Sequence, residues 1–365
     1  MRVLRVLHNL EIGGVQRQLL NLAPHLLKEM ELHICSLGGG GALEASFEEL
    51  GIKVCHVDLG WKYSPLGIAK LSRIISRGGY DLVHVHRMES IVFPVVVASL
   101  GAKVPVVVHH HFLYKWLSQR KKLLESWATR RALGVLAVSH PVMEHSCREL
   151  GIPPHRMMVV YNGVKGDRIP LKSRDPWLVG MVARMVRHKR VDTFLHAAAR
   201  LVSIFPTVKF KLVGGGEREG RYRELAKELA LEGKVVFTGS VLEVEGEAER
   251  FAIGVLPSEN EGLPNTLLEY GALGLPMVAS SIPQNREVVE EGREGLLVPA
   301  GDHNALAQAL AALLLNRALA KRSEKMAKRR AEKFNLSRTK RNLITSYHRL
   351  LKTKVPSSSP EDIGS

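Results

Sequence analysis

Along this chain short apolar runs alternate with stretches of helical period. "RVLRVLHNL", "ELHICSLG", "KVCHVDL", "DLVHVH", "VPVVVHHH" and "GVLAVS" are strand-like. Segments such as "VQRQLLNLAPHLLKE" and "LGIAKLSRIISRGG" between them repeat apolar positions every three or four residues, as helices do. That alternation predicts βαβ units and a parallel sheet. At "VKGDRIPLKSRDP" (164–176) the pattern stops, and this polar stretch with two prolines reads as a linker. It restarts with "WLVGMVAR", "VKFKLVG", "KVVFTG", "IGVLPS", "LPMVAS" and "GLLVP", again with helical stretches between. The predicted fold class is therefore α/β, with two Rossmann-like domains facing each other across a cleft. Doubly wound sheets bind ligands beyond the carboxyl ends of their strands, so the chemistry is expected at strand ends.

Composition narrows this picture only slightly. A length of 365 residues suits about two domains. The three cysteines, Cys35, Cys55 and Cys147, are far apart in sequence and form no C-x-x-C, which argues against a disulfide framework or a zinc site. They read as buried thiols in a reducing compartment. The start "MRVLRVLHNLEIGG" reads as a strand and a Gly turn rather than a signal peptide. The most apolar window carries Pro94, Gly101, Lys103 and Pro105, too interrupted for a membrane span. A cytoplasmic protein is expected, soluble or peripheral on the inner face of the membrane.

The net charge of +16 is unevenly placed. Residues 317–354 hold 14 Lys/Arg against two Glu, and "LYKWLSQRKKLLESWATRR" (113–131) holds six against one, with Tyr114, Trp116 and Trp127 interleaved. Such stretches attract polyanions, and an anionic membrane surface is the partner they suggest. Taken as one helix, 113–131 would gather Leu113, Trp116, Leu117, Leu123, Leu124 and Trp127 among its apolar residues. No zinc-finger spacing or RNA-recognition signature accompanies the charge, so nucleic acid is not an expected partner.

Candidate chemistry lies at three strand ends. After the first strand, Gly13 and Gly14 permit a tight turn into a helix whose N-terminal amides could meet an anion. The third glycine of a dinucleotide fingerprint is missing. After the first strand of the second half come Arg184, Arg187, His188, Lys189 and Arg190, a concentration of cations whose self-repulsion an anionic ligand would offset. The third is "SENEGLPNTLLEYGALGLPMVAS" (258–280). Three Glu pairs are eight apart, but only Glu261/Glu269 straddles a Gly/Pro break. Gly262 and Pro264 interrupt the chain, and a helix is expected from about Pro264, with Leu263, Asn265 and Thr266 around its first turn. A carboxylate can accept two hydrogen bonds and so suits vicinal hydroxyls. Glu261 and Glu269 could thus hold a sugar diol and a ribose diol, with the helix N-terminus facing a diphosphate between them.

"GGVQRQLLNLA", "AVSHPVMEHSCRELGIPPHRMMVVYNGV", "GMVARMVRHKRVDTFLHAAARL", "LVGGGERE" and "PSENEGLPNTLLEYGALGLPMVAS…REVVEEGREGLLVPAGD" occur in this order over almost the whole chain. Together they resemble the retaining, GT-B-fold glycosyltransferases of family 4. The resemblance implies a nucleotide-diphospho-sugar donor and a glycan or lipid-linked acceptor in polysaccharide, lipopolysaccharide or glycolipid synthesis. It implies that Arg184 and Lys189 grip the diphosphate, that Glu261 meets the donor sugar and Glu269 the ribose, and that the Gly13–Gly14 loop approaches the phosphates. It also implies a histidine near the reaction centre after "PVVV", where His111 aligns better than His109 or His110. No cofactor or metal is expected, since the chain has no Asp-x-Asp and Arg184, Lys189 and helix amides could neutralise a leaving diphosphate. Gln16, Lys165 and "SSIPQNREVV" depart from the family pattern, leaving acceptor identity and donor-sugar contacts open. The alternatives are a nucleotide-sugar epimerase and a membrane-docked binding protein without turnover. The expected organisation is an acceptor domain over 1–168, a donor domain over 176–335, a terminal helix over 336–354 crossing back to the first domain, and a disordered tail over 355–365.

Overall fold

The computed structural model describes residues 1–59, 64–87, 91–114, 118–166, 174–241 and 244–352. The expected disordered tail and most of the expected linker lie outside these residues. Two compact units divide the chain, one formed by Met1–Val160 with the segment from Ser337, the other by Tyr161–Leu336.

In the first unit seven parallel strands, β1 (Arg2–Leu7), β2 (Glu31–Ser36), β3 (Lys53–His56), β4 (Leu82–Arg87), β5 (Val106–His110), β6 (Gly134–Ala137) and β7 (Met157–Val159), lie in the order 3-2-1-4-5-6-7. In the second, β8 (Leu178–Val182), β9 (Lys209–Val213), β10 (Val235–Phe237), β11 (Ile253–Leu256), β12 (Met277–Ser280) and β13 (Gly295–Val298) repeat that winding as 10-9-8-11-12-13. The chain therefore reverses direction across each sheet between the first and fourth strands, β1/β4 and β8/β11. Loops leaving those strands diverge to opposite faces and open a crevice at the sheet edge.

Parallel pairing puts partnered residues on one face. Arg5 pairs with His84, and His86 with His109, so these four share a face of the first sheet. Leu4, Val6, Val83, Val85, Val106 and Val108 take the other face and pack into a purely apolar core. The polar face is covered by the terminal helix Leu336–Lys352, where Leu343 and Tyr347 are buried. That helix lies close enough on the sheet that a Cβ at Gly134 would meet Leu350 at 2.4 Å. The β2–β3 register also sets Cys35 beside Cys55, so two cysteines distant in sequence are neighbours, both as free thiols.

The basic segment 113–131 is not one helix. Its helix is Gln119–Arg131, Leu113 is buried before it, and Trp116 and Leu117 lie outside the described residues. Glu125, Ala128 and Thr129 face inward, and Arg87 of β4 holds Glu125 in a buried ion pair at 3.0 Å. No helix among the described residues is long and apolar enough to cross a membrane.

Candidate active site

Beyond β8 the chain tightens into a single 3₁₀ turn, Arg187–Lys189, and then places Arg190 in the left-handed region at φ 52°. A non-glycine residue pays about 1 kcal/mol or more for that conformation, so something must hold it. Asp192 does, accepting from Arg190 Nε and Nη2 at 3.1 Å each, and Glu259 accepts from Nη1 at 3.3 Å. Glu259 N–H also donates to the His188 carbonyl at 2.9 Å, tying the loop after β11 to the loop after β8. The brace aims Lys189 at Glu261, with Nζ and Oε1 2.6 Å apart. Glu261 is only 5% exposed, so this is a pair largely withdrawn from water.

The positive loop is thus balanced in part by the chain's own carboxylates. Arg184, just past the strand's end, and Arg187 are the exposed cations of the group. His188, half-buried between Lys189 and Arg184, has its pKa lowered, first by burial and then by Lys189.

The next helix runs Asn265–Leu273, with Pro264 as its cap residue, one position later than the expected start. It is packed against the end of β8. The Val182 N–H donates to the Tyr270 hydroxyl at 2.9 Å, and the Thr266 hydroxyl donates to the Val182 carbonyl at 3.3 Å. Burial pushes the Tyr270 phenol pKa up. Gly254 of β11 makes room for that ring, since a Cβ there would sit 2.4 Å from it. Asn265 Oδ1 accepts from Asn162 Nδ2 at 2.8 Å. The side chains of Asn265 and Thr266 are therefore engaged by the protein, and their value to an anion lies in the backbone of the first turn. Gly262, Leu263 and Pro264 are buried in the turn between Glu261 and this helix, and Glu269 is half-buried on its second turn. Arg184, Lys189, Glu261 and the helix N-terminus all gather at the β8/β11 end of the second unit.

The loop "GGG" after β9 completes this end, and its importance was not visible from composition alone. Gly214 has φ 124°, and a Cβ there would meet the Ala183 carbonyl at 2.3 Å. Gly215 O accepts from Met185 N–H at 2.8 Å, which fixes the chain between Arg184 and Lys189.

In the first unit, Gly13 is the extended cap of the helix Gly14–Leu26. Gln16 is buried and donates from Nε2 to the Asn9 carbonyl at 3.2 Å and to Asn9 Oδ1 at 3.1 Å, closing the loop after β1. His111 follows β5, and its Nε2 lies 2.8 Å from His86 Nδ1, with the rings stacked at 5.0 Å. Burial, then Arg5, lowers the His111 pKa to about 3. Burial first, then Arg5 and the neighbouring imidazoles, hold His84, His86 and His109 well below the usual imidazole value. Arg5, His84, His86 and Tyr347 went unassigned in the sequence, and His109 was weighed there only as a poorer match than His111. The available signal was the alternation of two histidines in "DLVHVH" followed by "VVVHHH".

Two family models match in tandem. Glycosyltransferase Family 4 matches residues 12–168, and Glycosyl transferases group 1 matches residues 176–316. The UDP-Gal:alpha-D-GlcNAc-diphosphoundecaprenol alpha-1,3-galactosyltransferase of Escherichia coli is 26% identical over 67% of this chain and 68% of its own length. The phosphatidyl-myo-inositol mannosyltransferase of Mycobacterium leprae is 27% identical over 72% of this chain and 71% of its own. Anabaena HepE, solved in complex with UDP and glucose, superposes with a TM-score of 0.83 over 95% of this chain and 99% of that one, at 20% identity. Matched in both halves, the chain belongs to the family 4, or group 1, glycosyltransferases, and its two Rossmann-type sheets are those of the GT-B fold.

Proposed function

We propose that this glycosyltransferase is a retaining one. It moves a sugar from a UDP- or GDP-sugar to a glycan or lipid-linked acceptor in surface polysaccharide, lipopolysaccharide or glycolipid synthesis. The observation that carries the reading is the 2.6 Å pair of Lys189 and Glu261 beside a helix N-terminus at the β8/β11 switch point. A cation for phosphate, a carboxylate for hydroxyls and helix amides are the groups a nucleotide-diphospho-sugar needs. Lys189 and Arg184 balance the charge that develops on the leaving diphosphate, and cations already in place do so without reorganisation. Transfer then needs no metal ion. Glu261, with Oε1 held by Lys189, meets a sugar hydroxyl through its other oxygen, and Glu269 holds the ribose. The Gly13–Gly14 loop approaches the phosphates, and His111 serves the reaction centre from the first unit. UDP and glucose in HepE and the UDP-Gal donor named for the Escherichia coli relative support this class of donor. The lipid-linked acceptor named for that relative supports a peripheral membrane location.

A thermal-shift panel of UDP- and GDP-sugars tests the reading, because a donor that binds the folded state at free concentration L stabilises it by RT ln(1 + L/Kd). One nucleotide sugar is expected to raise Tm, and nucleoside diphosphate release with acceptor is expected to persist in EDTA. Binding without release would point to a protein without turnover, and no shift with any nucleotide sugar would defeat the reading.

A further inference from the structure

Arg5 is a cation only 2% exposed in the middle of β1, and its Nε and Nη2 have no hydrogen-bond partner among the described residues. The group that favours its charge is the Tyr347 phenol rather than a carboxylate, with the guanidinium 5.9 Å from the ring. A buried charge this poorly compensated costs stability, and such a group in a native core calls for an explanation.

The one hydrogen bond that its guanidinium makes among the described residues carries the explanation. Arg5 Nη1 lies 3.2 Å from His86 Nε2. A guanidinium has donors only, so Nε2 must accept. Neutral His86 then carries its proton on Nδ1, and that Nδ1–H faces His111 Nε2 at 2.8 Å. His111 Nε2 must accept in turn, which leaves the His111 proton on Nδ1. We propose that Arg5 is a positioning residue that, through His86, holds His111 neutral in its Nδ1–H form, so that His111 acts as a hydrogen-bond donor and not as a general base.

Both halves of that statement have a chemical use. With Nε2 occupied and Nδ1 protonated, the ring has no lone pair to take a proton. A neutral imidazole can polarise an oxygen without placing a second positive charge beside a transition state that is itself gaining one. Among the described residues, the titratable groups facing His86 and His111 are Arg5, His84, His109 and the Tyr347 hydroxyl from the terminal helix, and none is an acid that would hold an imidazolium.

A metal centre is the competing use of these imidazoles, since ring nitrogens of His84, His86 and His109 lie within 4.8 Å of one another. It fits poorly. His86 has both nitrogens engaged, by Arg5 and His111, and His84 has both engaged, by Tyr347 and His109. A dication would also sit against the Arg5 charge.

The catalytic use rests on the role assigned above to His111, and the test separates the two. In the full-length protein labelled with ¹⁵N-histidine, long-range ¹H–¹⁵N spectra report the tautomer directly, with His111 assigned by the signals lost in His111→Gln. The expected wild-type result is Nδ1–H at both His86 and His111, unchanged from pH 7.5 to about pH 5, where an ordinary imidazole has mostly protonated. An Nε2–H form at His111, or protonation near the ordinary value, overturns the relay. Arg5→Met is expected to give mixed tautomers at His111 and to shift the acid limb of the kcat profile upward. Its loss of kcat should be about tenfold at neutral pH, the value of one hydrogen bond, with KM little changed. His86→Glu keeps a partner for Arg5 but presents His111 with an acceptor, so His111 should switch to Nε2–H. It carries the test if Arg5→Met does not fold. An unchanged tautomer in both variants overturns the relay. Normal turnover in His111→Gln, with the expected tautomer in wild type, leaves the relay standing and removes His111 from the chemistry.

Discussion

The two units share a strand order but furnish their switch points in opposite ways. At β8/β11 the polar groups are charged and paired, Lys189 with Glu261 and Arg190 with Asp192 and Glu259. On the imidazole-bearing face at β1/β4 one buried cation, Arg5, stands among rings that burial and then their cationic surroundings keep neutral, while Arg87 of β4 pairs with Glu125 on the other face. One site stores charge and the other stores hydrogen-bond direction. An ammonium has three donors, so Lys189 can take phosphate oxygens while it keeps Glu261, which suits binding an anion. A neutral layer fixed by one donor cannot trade protons, which suits orienting a hydroxyl. The same topology therefore supports two kinds of polar chemistry, according to whether a carboxylate meets the cation on the face that carries the polar groups.

The largest test of this contrast is acid. His84, His86, His109 and His111 have folded pKa values below that of an unfolded histidine, so between the two values the unfolded chain binds more protons. Their stabilisation is complete above about pH 6.5 and is lost as pH falls toward the folded values, at up to about 1.4 kcal/mol per pH unit for each group. Hydrogen exchange at pH 5 against pH 7.5 should show β1, β4 and β5 losing protection before β8 and β11. Equal loss in both sheets would mean that the imidazole layer does not control acid stability.

Lys189→Ala comes next. It should cost on the order of 2–4 kcal/mol of transition-state stabilisation by removing a preplaced cation. Glu261 is buried, so the change also strands a carboxylate and should lower Tm, whereas Lys189→Met with Glu261→Gln should restore Tm but not turnover. Turnover within about threefold of wild type in Lys189→Ala would remove Lys189 from the chemistry.

The difference between the sites also explains what could be read beforehand. Both sheets were legible because buried parallel strands are near-continuous apolar runs, and the apolar pattern pauses between the two sets. The second unit's candidate site could be proposed from sequence because two short loops carry nearly all of it, one from Arg184 to Asp192 and one from Glu259 to Thr266. Its balance of charge could not, because the partners Lys189 and Glu261 are 72 residues apart and only the register of β8 on β11 joins them. The first unit's layer was harder still. Tyr347 reaches His84 across 263 residues at 2.6 Å, and Arg5 reaches His86 across 81. Histidines alternating in a strand were in plain view, but a lone pattern of that kind has no meaning until the face it lines is known.

Smaller effects sharpen the comparison within each site. Glu269→Gln should weaken free nucleoside diphosphate binding, while Glu261→Gln should spare it and impair sugar transfer, as calorimetry and initial rates would show. Equal losses of diphosphate affinity would contradict the division of roles. Tyr347→Phe removes the hydroxyl at His84 Nδ1 and leaves a buried nitrogen unpaired, at about 1–3 kcal/mol. Because His84 is joined to His109 rather than to His111, Tm should fall while kcat holds. A matching fall in kcat would extend the positioning network to the terminal helix.

The smallest expected effect asks which unit meets a membrane. In the first unit, the helix Gln119–Arg131 exposes Leu123 by 70% and Trp127 by 37%, one turn apart, with Arg120, Lys121, Arg130 and Arg131 also exposed. Arg131 stacks on Trp127 at 4.0 Å, which leaves a mixed cationic and apolar surface of the kind that rests in headgroups. In the second unit, the helix Arg317–Ala331 exposes Lys321, Arg322, Lys325 and Arg329 and offers no tryptophan beside them. Lys122 is paired with Glu149 and is a poor probe. Arg120→Ser with Lys121→Ser should therefore weaken sedimentation with anionic vesicles by roughly 1 kcal/mol per charge at low salt, with Tm unchanged. Lys321→Ser with Lys325→Ser should do less, because charge without an apolar anchor is screened by salt. If the second pair has the larger effect, the membrane face belongs to the unit that holds the paired charges, and the acceptor-side reading of the first unit loses its support.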